Sequence, residues 1–325
     1  MSRILILLLS LLALPAQAAL LHEQPVQLHG DDGTLYGTLL LPGSQQPPPV
    51  ALIVAGSGPT DRNGNQPQAR NDSLKRLARL LASQGIASLR FDKRGVAASL
   101  AAEPDESRLS VARYRADLVA WSRLLKQDSR LGPLILIGHS EGALIASLAA
   151  QEADAQALIL IAGSGRPIDQ VLREQLRQRL SAAPLAYSER LLDQLLAGRS
   201  GIPVPDVLHG LFRPSVQPYL VSLLREDPLA AFAATQMPAL VLQGDRDIQV
   251  GPADARALAS ARPAVKLAII EGMNHVLREV GDQAAPFASY DDPSQPLARG
   301  LQPVLLSFLG DAGMLPPSSD APAGR

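Results

Sequence analysis

The sequence predicts an α/β fold in which a mostly parallel central sheet is covered by helices on both faces. Short, uninterrupted apolar runs recur along the chain, amphipathic segments lie between them, and glycine or proline stands at many of the junctions. Apolar runs without polar alternation are typical of parallel strands that are buried on both faces. Their regular alternation with amphipathic segments indicates a sheet with helices packed on each side.

Composition excludes several classes of protein. The chain has 325 residues, of which 46% are apolar, and its formal net charge is -1, so it is neither disordered nor a strongly basic nucleic-acid binder. Only 3% of residues are aromatic, which disfavours a stacking platform for single-stranded nucleic acid. The chain has no cysteine, so disulfides, thiolate metal sites and a thiol nucleophile are all excluded.

The first residues predict a secretory signal peptide. Arg3 precedes the apolar run 4–14, which is followed by the small-residue pattern Ala16-Gln17-Ala18. These are the basic, hydrophobic and cleavage regions of an export signal. The run is shorter than the about 20 residues that a bilayer core requires. We expect residues 1–18 to be removed, with no stable membrane anchor, and the protein to be exported to a bacterial periplasm or secreted.

The predicted core begins with a hairpin and a buried strand. The strand-like runs 26–28 and 35–41 are separated by a turn rich in glycine and aspartate, which indicates an antiparallel hairpin. Three prolines at 47–49 end this unit, because proline cannot join a strand ladder. The run 50–55 is then the first strand of the parallel type.

Further strands and helices follow in alternation. A helix capped by Asp72 or Ser73 precedes the next strand, and Ser110 begins another helix. Apolar runs predict the strands, and helical spacing of apolar residues predicts the helices. The predicted strands are 86–91, 134–137, 157–161, 239–243 and 265–270, and the predicted helices are 72–84, 110–125, 141–151 and 252–260.

One segment interrupts this rhythm. Residues 164–236 have leucine at helical spacing and no apolar strand, so they predict a helical cap inserted between two parts of the core, 19–163 and 237–310. The alternative is a pair of extra packing helices with no part in substrate selection. Residues 311–325, which are rich in proline and small residues, predict a flexible tail.

Ser140 is the candidate nucleophile. It lies in Gly138-His139-Ser140-Glu141-Gly142, directly between a predicted strand and a predicted helix. A G-x-S-x-G motif in that context is a nucleophile elbow, which holds its serine in a strained turn at a helix N-terminus. His139 points away from its neighbour on so sharp a turn, and we interpret it as a packing or hydrogen-bonding residue.

The base and acid that a serine nucleophile needs are found after two later strands. Asp247 follows the strand 239–243, and His275 follows the strand 265–270, so both lie at the carboxyl edge of the sheet. The chain order Ser, Asp, His is that of an α/β-hydrolase triad. Asp245 is the alternative to Asp247. No two of the five histidines have metal-ligand spacing on a helix, so no metal site and no cofactor are predicted.

Two backbone amides are candidates for an oxyanion hole. Glu141 follows the nucleophile directly, and Ser57 lies in a small-residue loop after the strand 50–55. Such donors hold the negative oxygen of a tetrahedral intermediate. The alternative is that the glycines of this loop are ordinary loop residues.

Three motifs resemble those of one family. The motifs are Ala55-Gly56-Ser57-Gly58-Pro59-Thr60-Asp61-Arg62-Asn63-Gly64-Asn65, Asp92-Lys93-Arg94-Gly95 and Gly138-His139-Ser140-Glu141-Gly142. Together they resemble the α/β-hydrolase superfamily, in its bacterial carboxylesterase branch related to the serine aminopeptidase-like hydrolases. Ala97 stands where that branch usually has a second glycine after D-K-R-G, and Ala55 stands where histidine is frequent.

The resemblance implies an α/β-hydrolase fold and a cofactor-free carboxylesterase that acts through an acyl-serine intermediate. Its triad would be Ser140, Asp247 and His275, and its partner a small-molecule acyl ester, not a nucleic acid. Two alternatives stay open at this stage. One is a peptidase or amidase with the same triad, and the other is a hydrolase-fold binding protein without catalysis.

Overall fold

The computed structural model describes residues 21–281 and 287–315, and in these ranges it contains one eight-stranded sheet. The predicted signal peptide, residues 1–18, lies outside the described residues. The strands are β1 (His22–Gly30), β2 (Gly33–Leu41), β3 (Val50–Val54), β4 (Ala87–Phe91), β5 (Leu134–His139), β6 (Ala157–Ile161), β7 (Ala239–Gly244) and β8 (Lys266–Ile270).

The strand order is β1-β2-β4-β3-β5-β6-β7-β8. The predicted hairpin is confirmed, because β1 and β2 pair antiparallel, and β2 also runs antiparallel to β4. All the remaining pairs are parallel. The carboxyl ends of β3, β5, β7 and β8 therefore lie along the same edge of the sheet, where catalytic groups of open α/β sheets collect.

Helices cover both faces of this sheet. The helices are α1 (Ser73–Ser83), α2 (Val111–Gln127), α3 (Glu141–Ala149), α4 (Ile168–Arg179), α5 (Ala182–Leu196), α6 (Asp206–Phe212), α7 (Gln217–Leu224), α8 (Pro228–Ala233), α9 (Pro252–Ala261) and α10 (Leu301–Asp311). Apolar residues of α1 and α10 pack on one face, and those of α2, α3 and α9 pack on the other. This arrangement confirms the predicted fold class.

Successive residues of β5 show why the strands are apolar throughout. Leu134 and Leu136 point into the layer that contains α2 and α3, whereas Ile135 and Ile137 point into the layer that contains α1. All four side chains are at most 2% exposed. Since neighbouring side chains of a strand alternate between faces, a strand covered on both faces has no solvent-facing position for a polar residue.

The helical insertion forms a small apolar cluster of its own. Leu191, Leu192 and Phe212 are its most buried members, and α4, α5, α6 and α7 all contribute to it. Helix α8 is different, because its Phe232 is fully buried in the main core beside α3 and α9. Helix α8 thus packs on the core although it lies within the predicted insertion 164–236.

A buried ion pair joins the start of the insertion to the core. Asp254 of α9 is completely buried, and its two carboxylate oxygens accept hydrogen bonds from the guanidinium of Arg166 at 2.9 and 2.8 Å. The backbone N–H of Gly165 donates to the same carboxylate at 3.0 Å. The chain that leaves β6 is thus fixed to α9 before α4 begins.

Two other details differ from the sequence predictions. Asp72 occupies the N-cap position of α1 but makes no capping hydrogen bond, because its carboxylate instead accepts from Asn65 and Arg70. At the other end, Met314 is buried and its backbone N–H donates to Leu309 at 2.7 Å. The predicted tail therefore does not begin at residue 311, and its remaining part, 316–325, lies outside the described residues.

Ala97 has a backbone conformation that glycine adopts more readily than alanine. Its φ is 45°, in the left-handed region that is unfavourable for a residue with a Cβ atom. Ser99, two residues later, is fully buried, and its hydroxyl accepts a hydrogen bond from the backbone N–H of Tyr36 at 2.9 Å. The hydrogen bond between Ser99 and β2 thus holds this loop in place despite the strained backbone at Ala97.

Candidate active site

Ser140 lies at the sharp turn between β5 and α3. Its φ of 56° and ψ of -123° are rare for a non-glycine residue, and its backbone N–H donates to the carbonyl of Ile161 at 2.8 Å. Such strain persists only where the surrounding structure enforces it, and it concentrates at functional sites. The turn projects the serine from the carboxyl edge of the sheet.

The two glycines of the motif allow this turn to form. A Cβ atom added at Gly138 would lie 2.2 Å from the carbonyl oxygen of Gly142. One added at Gly142 would lie 2.4 Å from the carbonyl oxygen of Val54 in β3. The spacing of the motif is therefore a packing requirement, because strand, turn and helix approach one another more closely than any side chain permits.

His275 and Asp247 form a hydrogen-bonded pair in the loops that follow β8 and β7. The Nδ1 atom of His275 is 2.7 Å from an Oδ2 atom of Asp247, whose side chain is completely buried. Since a carboxylate can only accept, Nδ1 carries the proton, and Nε2 is left as the basic nitrogen of a neutral imidazole. This is the orientation that a general base requires.

Several donors stabilise the charge of Asp247. The backbone N–H groups of Gln249 and Val250 donate to Oδ1 at 2.8 and 3.1 Å, and the side-chain amide of Gln243 donates to Oδ2 at 2.9 Å. Burial acts to raise the pKa of Asp247, but His275 and the two backbone amides outweigh it, so the pKa lies below its ordinary value. The carboxylate is therefore ionised at neutral pH.

Asp245, the alternative acid, lies elsewhere. It is exposed, and its carboxylate accepts a hydrogen bond from the backbone N–H of Gly272 at 2.7 Å. That contact holds the loop after β8 against the loop after β7. The structure thus brings Asp247 to His275 and leaves Asp245 in a loop-bracing position.

His139 supports His275 from behind. The two ring centroids are 4.8 Å apart, and the Nε2 atom of His139 is 2.8 Å from the backbone carbonyl oxygen of His275. Burial, reinforced by the neighbouring His275, lowers the pKa of His139 to about 4, so its ring is neutral at pH 7. A neutral ring that donates to this carbonyl fixes the backbone of His275.

One cavity of about 460 Å³ is lined by Ser140, His275 and the predicted oxyanion residue Ser57. Gly56 separates Ser57 from β3, and a Cβ atom added to it would lie only 3.1 Å from the Cβ of Ser140. The backbone of this loop therefore touches the serine. Glu141 follows Ser140 at the first position of α3, where the amides of a helix N-terminus are free to bind an anion.

Comparisons with known proteins agree with this architecture. Est1E of Butyrivibrio proteoclasticus with ferulic acid bound superposes with a TM-score of 0.59, at 17% identity, over 88% of this chain and 99% of that one. A serine hydrolase without a lid from Xanthomonas campestris superposes with a TM-score of 0.54, at 19% identity, over 90% and 95%. These similarities show that the chain has the α/β-hydrolase fold.

Sequence comparison finds similarity to one peptidase family model and to one esterase. A family model described as serine aminopeptidase, S33, matches residues 71–198, a stretch that includes Ser140 but ends before Asp247 and His275. Esterase EstD of Thermotoga maritima is 27% identical over 260 residues, which are 78% of this chain. The chain spans only 60% of the length of that relative.

The sequence did not reveal much of the cavity wall. Arg179, at the end of α4, lies over the ring of Phe287 at 5.7 Å, and Phe287 packs on Tyr290 with centroids 5.5 Å apart. The Tyr290 hydroxyl lies 3.3 Å from the side-chain amide of Gln249. These residues belong to loops and to the end of a helix, where no periodic pattern or motif marks them.

The described residues include neither a cluster of metal-ligating side chains nor a helix that could span a membrane. Within 21–281 and 287–315 no group of three His, Cys, Asp or Glu side chains is placed to hold a metal ion. In the same ranges no helix has the length and apolar composition of a membrane span.

Proposed function

We propose that the protein is a serine hydrolase that cleaves carboxylic esters of small molecules through an acyl-serine intermediate. The observation that carries this proposal is the Asp247–His275 hydrogen bond beside the strained Ser140, with Ser140 and His275 on the wall of one cavity. The cavity volume falls within the about 300–1,000 Å³ of small-molecule sites. The similarity to an esterase of Thermotoga maritima supports the same substrate class.

In the proposed reaction Ser140 Oγ attacks the ester carbonyl while Nε2 of His275 accepts its proton. The backbone amides of Ser57 and Glu141 hold the resulting oxyanion. His275, kept in its orientation by Asp247, then gives the proton to the leaving alcohol, and the acyl group stays on Ser140. Water, activated by the same histidine, releases the acid and restores the serine.

Ser140→Ala tests this proposal. Turnover of a short p-nitrophenyl ester is expected to fall by about 10⁴-fold or more, with little change in melting temperature, because only the nucleophilic oxygen is removed. Ser147→Ala is the matched control, since Ser147 lies in α3 with its hydroxyl bonded to the Ala143 carbonyl. Wild-type turnover in the Ser140 variant would falsify the assignment.

A peptidase or amidase with the same triad is the second candidate, and the match to a serine aminopeptidase model favours it. An amide has a poorer leaving group than an ester, so the two functions separate in rate rather than in residues. The purified protein should be compared on p-nitrophenyl esters and on aminoacyl p-nitroanilides. Labelling by a fluorophosphonate probe that depends on Ser140 would exclude a binding protein without catalysis.

We further propose export to the periplasm or beyond. The support is the sequence of residues 1–18, with Arg3, the apolar run and the Ala16-Gln17-Ala18 pattern. Expression in a bacterium, followed by fractionation and amino-terminal sequencing, is expected to give periplasmic or secreted protein that begins at Ala19. Cytoplasmic protein that still carries Met1 would contradict this proposal.

A further inference from the structure

Lys93 belongs to the Asp92-Lys93-Arg94-Gly95 motif, and the proposed reaction gives it no role. It follows β4, and its side chain is only 2% exposed. Its ammonium donates a hydrogen bond to the backbone carbonyl of Gly56 and lies 3.5 Å from the Oε1 atom of Glu141. The same ammonium lies 5.2 Å from the centroid of the Tyr114 ring.

This placement is unfavourable for stability. Burial lowers the pKa of Lys93, although the Glu141 carboxylate acts in the opposite direction. The Glu141 side chain is itself only 6% exposed. Removing two charges from water costs several kcal/mol each, and apolar residues of similar volume often replace such pairs without loss of stability. Stability therefore does not explain why a charged pair lies here.

The partners of Lys93 are the two segments that carry the proposed oxyanion donors. The Gly56 carbonyl and the Ser57 N–H belong to one peptide group, and no peptide bond in residues 21–281 and 287–315 is cis. In a planar trans peptide the carbonyl and the N–H point in opposite directions. Because Lys93 binds the carbonyl, the Ser57 N–H points away from Lys93.

Lys93 also connects the two donor segments through its second partner, Glu141. Gly56 adjoins both groups, because a Cβ atom added to it would lie 3.1 Å from the Ser140 Cβ and its carbonyl accepts the hydrogen bond of Lys93. The backbone N–H of Glu141 is the second proposed donor, and its side chain is the one that pairs with Lys93. One ammonium thus links the loop after β3 to the first residue of α3.

We propose that Lys93 is the positioning residue of the oxyanion hole. Its hydrogen bond to Gly56 orients the Ser57 N–H toward the developing oxyanion, and its ion pair with Glu141 holds the second donor segment at a fixed distance from the first. This inference rests on the proposed ester hydrolysis. It assigns to the D-K-R-G motif the task of aligning two donors. Such donors must lie about 2.7–3.1 Å from the oxyanion, and their positions must be held to within about 0.5 Å.

Lys93→Met is the decisive variant, because it removes the ammonium and keeps an unbranched apolar stem. We expect kcat for a p-nitrophenyl ester to fall about 10- to 100-fold, somewhat less than the about 10²–10³ typical of losing a donor outright, with KM within about twofold of wild type. The Ki of a trifluoromethyl ketone, whose serine adduct carries an oxyanion, should rise by a similar factor.

The double variant Lys93→Met/Glu141→Gln separates positioning from charge balance. It removes the unpaired buried carboxylate that Lys93→Met alone leaves behind, so its melting temperature should recover while kcat and the inhibitor Ki stay impaired. Lys126→Met is the matched control, since Lys126 makes an exposed ion pair with Asp154 at 2.7 Å. Its kinetics should equal those of wild type.

Recovery of kcat in the double variant would overturn the inference, because Lys93 would then only neutralise Glu141. A loss confined to KM or to melting temperature would overturn it as well. If Lys93→Met does not fold, the double variant alone decides between these results. An inactive wild-type protein would refute the proposed ester hydrolysis, whereas an active wild type with an equally active Lys93→Met variant would refute only the role of Lys93.

Discussion

The carboxyl edge of the sheet and the helical insertion are built by different physical means. At the edge, backbone strain at Ser140, close glycine contacts and the fully buried Asp247 side chain fix each group from several directions. In the insertion, leucines fill a small cluster, and Arg173 makes ion pairs with partially exposed acids such as Asp193. Of its residues, Arg179 lines the cavity together with residues of the core. We therefore expect the edge to determine the chemistry, and the insertion to influence substrate access through Arg179.

The largest effect that this comparison predicts is at Asp247. Asp247→Asn should lower kcat by about 10⁴-fold, because the amide no longer holds His275 in the tautomer that accepts a proton from serine. Its melting temperature should also fall, because the amide NH2 would face N–H donors on either side of this buried position. Asp245→Asn, which keeps an oxygen acceptor for the Gly272 N–H, should change kcat less than threefold. Equal losses in the two variants, measured on a p-nitrophenyl ester, would break the distinction between these acids.

Glycines should differ in the same way between the two regions. Gly142→Ala should lower the free energy of unfolding by about 3 kcal/mol and abolish turnover, because the new methyl would meet the carbonyls of Val54 and Ala55. Gly210→Ala in α6 should be neutral or stabilise by up to about 1 kcal/mol, since a Cβ there meets no atom within 4 Å. Urea unfolding of both variants measures the contrast, and similar values would argue against it.

Histidines allow a test by pH. His139 has a folded-state pKa of about 4, below its ordinary value of 6.5. Between pH 4 and pH 6.5, His139 is therefore mostly protonated in the unfolded chain and mostly neutral in the folded protein. The free energy of unfolding should therefore decrease as pH falls from 6.5 to 4, by about 3 kcal/mol from this group. His139→Gln should reduce that decrease. His209→Gln, at an exposed position of α6, should leave the wild-type pH dependence unchanged.

The smallest effect should come from the insertion. Arg179 has no carboxylate partner within the described residues, and its guanidinium faces the cavity over Phe287. Arg179→Gln should raise KM about three- to fivefold for an ester that carries a carboxylate, and should leave a neutral ester of the same size unchanged, since one exposed charge contributes up to about 1 kcal/mol. Arg177→Gln is the control. A fall in kcat for the neutral ester would place the insertion within the chemistry.

Most of the fold follows from local sequence. Apolar runs predicted the six strands β3 to β8 to within about two residues at each end, because burial on both faces of β3 to β7 leaves an unbroken apolar run. The two strands of the amphipathic hairpin gave a weaker signal. Ser110 caps α2 as expected, with its hydroxyl accepting the Arg113 N–H at 3.3 Å. Asp72 does not cap α1, because its carboxylate accepts hydrogen bonds from Asn65 and Arg70 instead. The helix-capping propensity of aspartate does not take such contacts into account.

The residues of the candidate site also differ in how far the sequence predicts their positions. Ser140, Asp247 and His275 follow strands whose ends share an edge, so chain position alone brings them into one region. Lys93 and Tyr290 reach the site through side-chain length and loop paths that only the folded backbone determines. At Ala97 the residue type alone does not predict the backbone conformation of the loop after the D-K-R-G motif. The loop keeps its left-handed residue although the glycine is absent, at a strain of about 1 kcal/mol.

The anchoring of Arg166 on Asp254 also limits how the active site can open. A swing of the insertion that displaced Arg166 would separate this pair and leave the buried Asp254 carboxylate with the Gly165 N–H as its closest remaining donor. Breaking a fully buried pair costs about 3–5 kcal/mol, and the cost is smaller here because the Arg166 side chain is 34% exposed. A conformation opened at this junction would still be a minor one. Substrate exchange should therefore use side-chain motion at the mouth of the cavity, where Arg179 rests on Phe287, and should be fast compared with any hinge motion.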